Sequence, residues 1–157
     1  MVLGVFTDRY SRTQIGEMLQ GTLYDLSALN ALCKQARWNV VGPAFYSIHL
    51  SLEQLGALIE EQCEEVASAL NCIGLPAIVQ RSNIDLNSEI LPIPEGFLMD
   101  RQVVDLVRER FQVFHTLSKG RQIQLREHDV LSADMLRRIS SRLEKQLRTV
   151  AASHLAA

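Results

Sequence analysis

The stretch 13–74, TQIGEMLQGTLYDLSALNALCKQARWNVVGPAFYSIHLSLEQLGALIEEQCEEVASALNCIG, decides the fold of this 157-residue chain. In its first half Ile15, Leu19, Thr22, Leu26, Leu29, Cys33 and Ala36 recur at alternating spacings of four and three, the seam of a helix packed in a bundle. Thr13 reads as an N-cap, and Gly42-Pro43 closes the segment. The second half repeats the pattern with Ile48, Leu52, Leu55, Ile59, Cys63, Val66 and Leu70, and Gly74 supplies the stop.

Outward from this pair the character changes. Residues 75–99 hold Pro76, Pro92 and Pro94 and no sustained period, with room for one short helix from Asn83 to Ile90. A third long helix starts near Asp100, carries Val104, Val107, Phe111 and Phe114, and ends about Arg126. Ser132 is expected to cap a fourth, with Leu136, Ile139, Leu143, Leu147 and Val150 on one face. No run alternates convincingly enough to be a strand. Two long helices, one long crossover and two more long helices make an all-α four-helix bundle of the ferritin-like kind, because a second crossover of the cytokine type is missing. The whole chain reads as one domain with residues 1–12 as an N-terminal tail.

Composition excludes several classes. Apolar residues at 47% and charged residues at 22% are those of an ordinary globular chain. The three cysteines sit within helical patterns, and Cys63 and Cys72 are held ~13 Å apart on a straight helix, so reduced, buried thiols are expected. MVLGVF is too short for a signal core and is closed by Asp8 and Arg9, and no run reaches membrane-span length, which points to the cytoplasm. No G-x-S-x-G, Ser/His/acid set or C-x-x-C motif supports a hydrolase or redox enzyme.

Charge is uneven. Residues 1–99 carry 5 Lys/Arg against 11 Asp/Glu, and residues 100–157 carry 11 against 7. Residues 38–80 hold five glutamates and no Lys or Arg, so those acids need solvent, protons or a cation from elsewhere. Within them His49, Glu53, Glu60 and Glu64 share one helical face, an imidazole with carboxylates beside the apolar seam. Such a stripe is either a solvated flank or a partly buried cation site or subunit interface.

The segments LNALCKQARWNVVGPAFYSIHLSLEQL (29–55) and EEQCEEVASALNCIG (60–74), with the later HDVLSADML (128–136), closely resemble the Dps family of ferritin-like DNA-binding proteins of starved cells. The resemblance covers about residues 12 to 155. It implies a dodecameric shell of twofold dimers that oxidises and stores iron, protects against oxidative stress and often binds DNA. It also implies a ferroxidase site shared across the twofold, with a His before the Trp, a second His and an acid from one subunit, and an acid and a Glu from the other. Those positions fall on Arg37, His49, Glu53, Glu64 and Ser68 here. Arginine cannot ligate a metal and serine lacks the carboxylate, so ferroxidase activity is expected to be weak or lost. Arg37 is expected to pair with Glu53 or with Glu64 of the partner subunit, replacing the metal electrostatically. Trp38 and Tyr46 beside the site read as packing residues once oxidation chemistry lapses.

The same resemblance assigns Glu127, Asp129 and Asp134, before the fourth helix, to an acidic pore for cation entry, with helix-end chemistry as the plainer role. Candidate DNA contacts are Arg9 and Arg12 in the N-terminus and the stripe Arg138, Arg142 and Lys145, against an acidic total charge of -2. His115, His128 and His154 read as surface or satisfied polar residues. Two readings thus stand: an iron-sequestering shell with an altered centre, and a nucleoid-associated or structural shell without iron oxidation. Co-assembly with a competent paralogue fits the first.

Overall fold

A computed structural model describes residues 9–155, with side chains from Ser11 onward. The chain runs α1 (Arg9–Asn39), β1 (Val40–Val41), α2 (Phe45–Cys72), α3 (Arg81–Asn87), β2 (Leu98–Met99), α4 (Asp100–Arg126) and α5 (Val130–Leu155). α1 packs on α2, α2 on α5, α5 on α4 and α4 on α1, which closes the four-helix ring. At 31 residues α1 is about 46 Å long, and the crossover returns the chain over that length. The all-α ferritin-like bundle is therefore the observed fold.

Several boundaries differ from the sequence reading. α1 is already helical at Arg9, so Thr13 lies inside the helix and residues 9–12 of the expected tail are helical; residues 1–8 lie outside the described part. The short helix sits two residues earlier than the Asn83 start. α5 starts at Val130, not Ser132, because Asp129 caps it: its carboxylate accepts the Leu131 N–H at 3.2 Å and the Ser132 hydroxyl at 2.5 Å. Two strands also exist. Val40 pairs with Leu98 and Val41 with Met99 in parallel, a ladder too short to show alternation in sequence.

The helix ends follow local chemistry. Gly74, at φ 80°, closes α2 with the Leu75 N–H on the Leu70 carbonyl and the Gly74 N–H on the Asn71 carbonyl, the paired bonds of a Schellman stop. At the α1–α2 junction Gly42 has φ 115°, and a Cβ there would stand 2.8 Å from an Asp100 carboxylate oxygen. That close approach lets Asp100 accept the Ala44 N–H at 2.8 Å at the start of α2 and the Arg101 N–H at 2.8 Å at the start of α4.

All seven seam residues of α1 are buried, and the Thr22 hydroxyl is satisfied by the Met18 carbonyl at 2.9 Å. In α2 the seam passes through Gln62 instead of Cys63: Gln62 is fully buried, while Cys63 is half-buried. The thiols split accordingly. Burial pushes Cys33 up to about 12, and burial with Glu60 and Glu64 nearby pushes Cys63 up to about 11. Cys72 is exposed, contrary to the expectation of buried thiols. Among the described residues no helix is long and apolar enough to cross a membrane.

Candidate metal centre

The last turn of α1 and the first turns of α2 build the site. Helix ends leave carbonyls without partners, and the Arg37 carbonyl is taken by the His49 ring, Nδ1 at 3.0 Å from the oxygen. With the carbonyl as acceptor the Nδ1 carries the proton, which leaves the Nε2 lone pair available. One turn on, Glu53 is already engaged: Arg37 Nη1 donates to its Oε1 at 3.2 Å. The same guanidinium lies 6.0 Å from the Trp38 ring centroid, and Trp38 and Tyr46 are both mostly exposed.

Arg37 and Glu53 border a cleft of about 290 Å³ between α1 and α2, shared with Asn30, Lys34, Gly56 and Glu60. Asn30 donates to Glu60 at 2.6 Å. Asn30, Lys34 and Arg37 stand at spacings of four and three on one face of α1, a signal the sequence offered but the metal reading passed over. The cleft thus holds two cations and two carboxylates, the balance of an ion-pair network and not of a cation site.

The structure does not bring the whole candidate set together. Glu64 is eleven residues beyond Glu53 on α2, about 16 Å along the axis, and Ser68 is further still. Both are exposed and distant from His49 within one chain. Among the described residues no three His, Cys, Asp or Glu side chains group closely enough to hold a metal ion.

No family model matches the chain. Among curated proteins it is 29% identical over 129 residues to DNA protection during starvation protein 2 of Deinococcus radiodurans, a match covering 82% of this chain and 54% of that one. It is 26% identical to DNA protection during starvation protein 2 of Bacillus anthracis, over 84% of this chain and 90% of that one. The chain thus spans about half the length of the first relative and most of the second. A solved Dps structure from Deinococcus radiodurans superposes with a TM-score of 0.86 at 26% identity, over 91% of this chain and 87% of that one. These relatives and this structure are Dps proteins, and they support the Dps resemblance read from the sequence. The Dps of Microbacterium arborescens shares the fold at a TM-score of 0.87, with 23% identity over 98% of this chain and 100% of that one.

The other candidate residues are placed as follows. Asp129 is spent on capping α5, and Asp134 stands 3.8 Å from Arg126 and 3.9 Å from Arg137. Glu127 makes no ion pair among the described residues and borders a cleft with Gln14, Glu17 and His128. Of the basic stripe on α5, Arg138 pairs with Glu65 and Arg142 stands 3.4 Å from Glu61, while Lys145 is exposed and unpaired among the described residues. The Gln146 amide continues this ladder to Gln54 at 3.4 Å. Three of the five glutamates in the cation-free run therefore meet arginines: Glu53 from α1, Glu61 and Glu65 from α5. Arg12 lies beside Gly74, and the Arg9 side chain is outside the described residues. His115 and His154 correct the reading of satisfied polar residues, since His115 Nε2 and His154 Nδ1 are buried without hydrogen-bond partners.

Proposed function

We propose that this Dps-family chain is a subunit of a homo-oligomeric shell, a dodecamer of twofold dimers, that sequesters iron and protects against oxidative stress with an impaired ferroxidase centre. The observation that carries the reading is the Arg37–Glu53 pair at 3.2 Å. Ferrous iron, the substrate, needs imidazole and carboxylate ligands with positions left open for oxygen. Of the half-site on one chain only His49 Nε2 is available. A guanidinium beside Glu53 competes for the carboxylate and repels a divalent cation. Glu64 of the partner subunit would arrive without a second carboxylate from Ser68, and the remaining Arg37 N–H groups suit it as an interface ion pair.

Iron oxidation then falls to a competent paralogue in a mixed shell, while this chain keeps the architecture. Cation entry near the α4–α5 joint rests on Glu127, the acid of that trio without an ion pair among the described residues. The printed names of the relatives concern DNA protection during starvation. DNA contact by this chain rests on Arg12 and Lys145 more than on Arg138 and Arg142, which glutamates already neutralise. The reading as a nucleoid-associated shell without iron chemistry therefore has fewer free cations to draw on.

Anaerobic ferrous titration of the assembled protein tests the proposal. Weak, non-stoichiometric binding is expected. Two tight ferrous sites per dimer, oxidised rapidly on admitting oxygen, would overturn it.

A further inference from the structure

On the face formed by α4 and α5, away from the α1–α2 cleft, a pocket of about 240 Å³ is lined by Arg108, Gln112 and His115 from α4 and by Glu144, Leu147 and Arg148 from α5. The α4 residues recur at spacings of four and three, so they form one stripe. Their chemistry is unbalanced. Two guanidiniums and an amide supply many N–H donors, and Glu144 is the single carboxylate. That carboxylate is engaged by Arg148 at 3.0 Å. Arg108 has no ion pair or hydrogen bond among the described residues. His115, packed edge-on against Phe114 at 5.9 Å, has its Nε2 shut from solvent without a partner.

We infer that this pocket binds a small tetrahedral oxyanion of the phosphate class, gripped by Arg108 and Arg148, with the His115 ring as part of the wall. The volume is below that of sites for drug-sized ligands, about 300–1,000 Å³, so a nucleotide does not fit inside while a single phosphate group does. A cation is disfavoured because Arg108 and Arg148 outnumber Glu144. Guanidiniums beside an oxyanion form charge-assisted bonds, which these largely exposed side chains can close around it. Glu144 opposes the anion directly, so it sets the affinity.

Calorimetric titration of the full-length assembly with inorganic phosphate, against chloride at matched ionic strength, tests this. Saturable binding is expected in the wild type, about tenfold weaker in Arg108→Ala and tighter in Glu144→Gln. The gain in Glu144→Gln is a readout that misfolding does not mimic. Dimethyl phosphate serves as a second arm: binding of inorganic phosphate alone assigns the pocket to a free anion, and binding of both assigns it to a phosphodiester backbone as well. Heats that match chloride, or that are the same in wild type, Arg108→Ala and Glu144→Gln, would overturn the inference.

Discussion

Asp25, with no exposed surface, receives the Arg121 guanidinium at 2.6 Å and the Ser88 hydroxyl at 2.7 Å. One carboxylate thereby ties α1 to α4 and to the C-terminal end of α3 in the crossover. Gly21 makes the approach feasible, since a Cβ there would stand 3.0 Å from Arg121 Nη2. Removing one member of such a pair strands the other charge in the interior. Arg121→Ala is therefore expected to cost about 3–5 kcal/mol in urea unfolding of the assembled protein, and Asp25→Asn/Arg121→Met distinctly less. Equal stability of Arg121→Ala and wild type would show that Asp25 is not held by this bond.

The Asp100 carboxylate gives the α1–α2 junction a pH dependence. The Ala44 N–H holds it below the ordinary carboxylate range, partial burial opposes, and the Arg101 N–H and nearby His154 add to the lowering. A depressed folded-state value means the contribution is complete above the unfolded value, about 3.9, and is lost as pH falls through the folded one. Thermal unfolding between pH 6 and 2 is expected to fall more steeply in wild type than in Asp100→Asn, which starts lower at neutral pH. Parallel curves would count against the cap.

The α2–α5 ladder bears on DNA. Because Arg138 and Arg142 face Glu65 and Glu61, replacing both arginines with glutamine is expected to leave low-salt gel retardation nearly unchanged, whereas Lys145→Gln weakens any retardation present. Loss of retardation on removing the arginines alone would place them on DNA instead of on α2.

The bundle was legible because its cause is periodic. Every seam position from Ile15 to Ala36 is buried, and α4 keeps the limits Asp100 and Arg126. Where periodicity and hydrophobicity part, the sequence misleads. Cys63 looks apolar and Gln62 does not, yet three residues from Ile59 lies as near the seam as four, and Gln62 is the buried one, without partners for its amide. Two-residue strands carry no alternation to read, and the cap at Asp129 lay three residues ahead of the serine chosen for it. The centre was half legible. The Dps resemblance puts Arg37 at a ligand position with Glu53 or the partner subunit's Glu64 as its pair, and the structure has the Glu53 pair. In the proposed site the half expected from Glu64 and Ser68 would come from a second subunit, which no spacing within one chain encodes.

Arg37 is a substitute for chemistry more than a support for the fold. Its pair with the half-exposed Glu53 is of the solvent-facing kind worth about 0–1 kcal/mol, so Arg37→His is expected to leave the unfolding midpoint nearly unchanged. The decisive measurement is stopped-flow ferrous oxidation by wild type, the two single variants and Arg37→His/Ser68→Glu. Rapid oxidation gained only in the double variant is the predicted result, and rapid oxidation already present in the wild type would contradict the account.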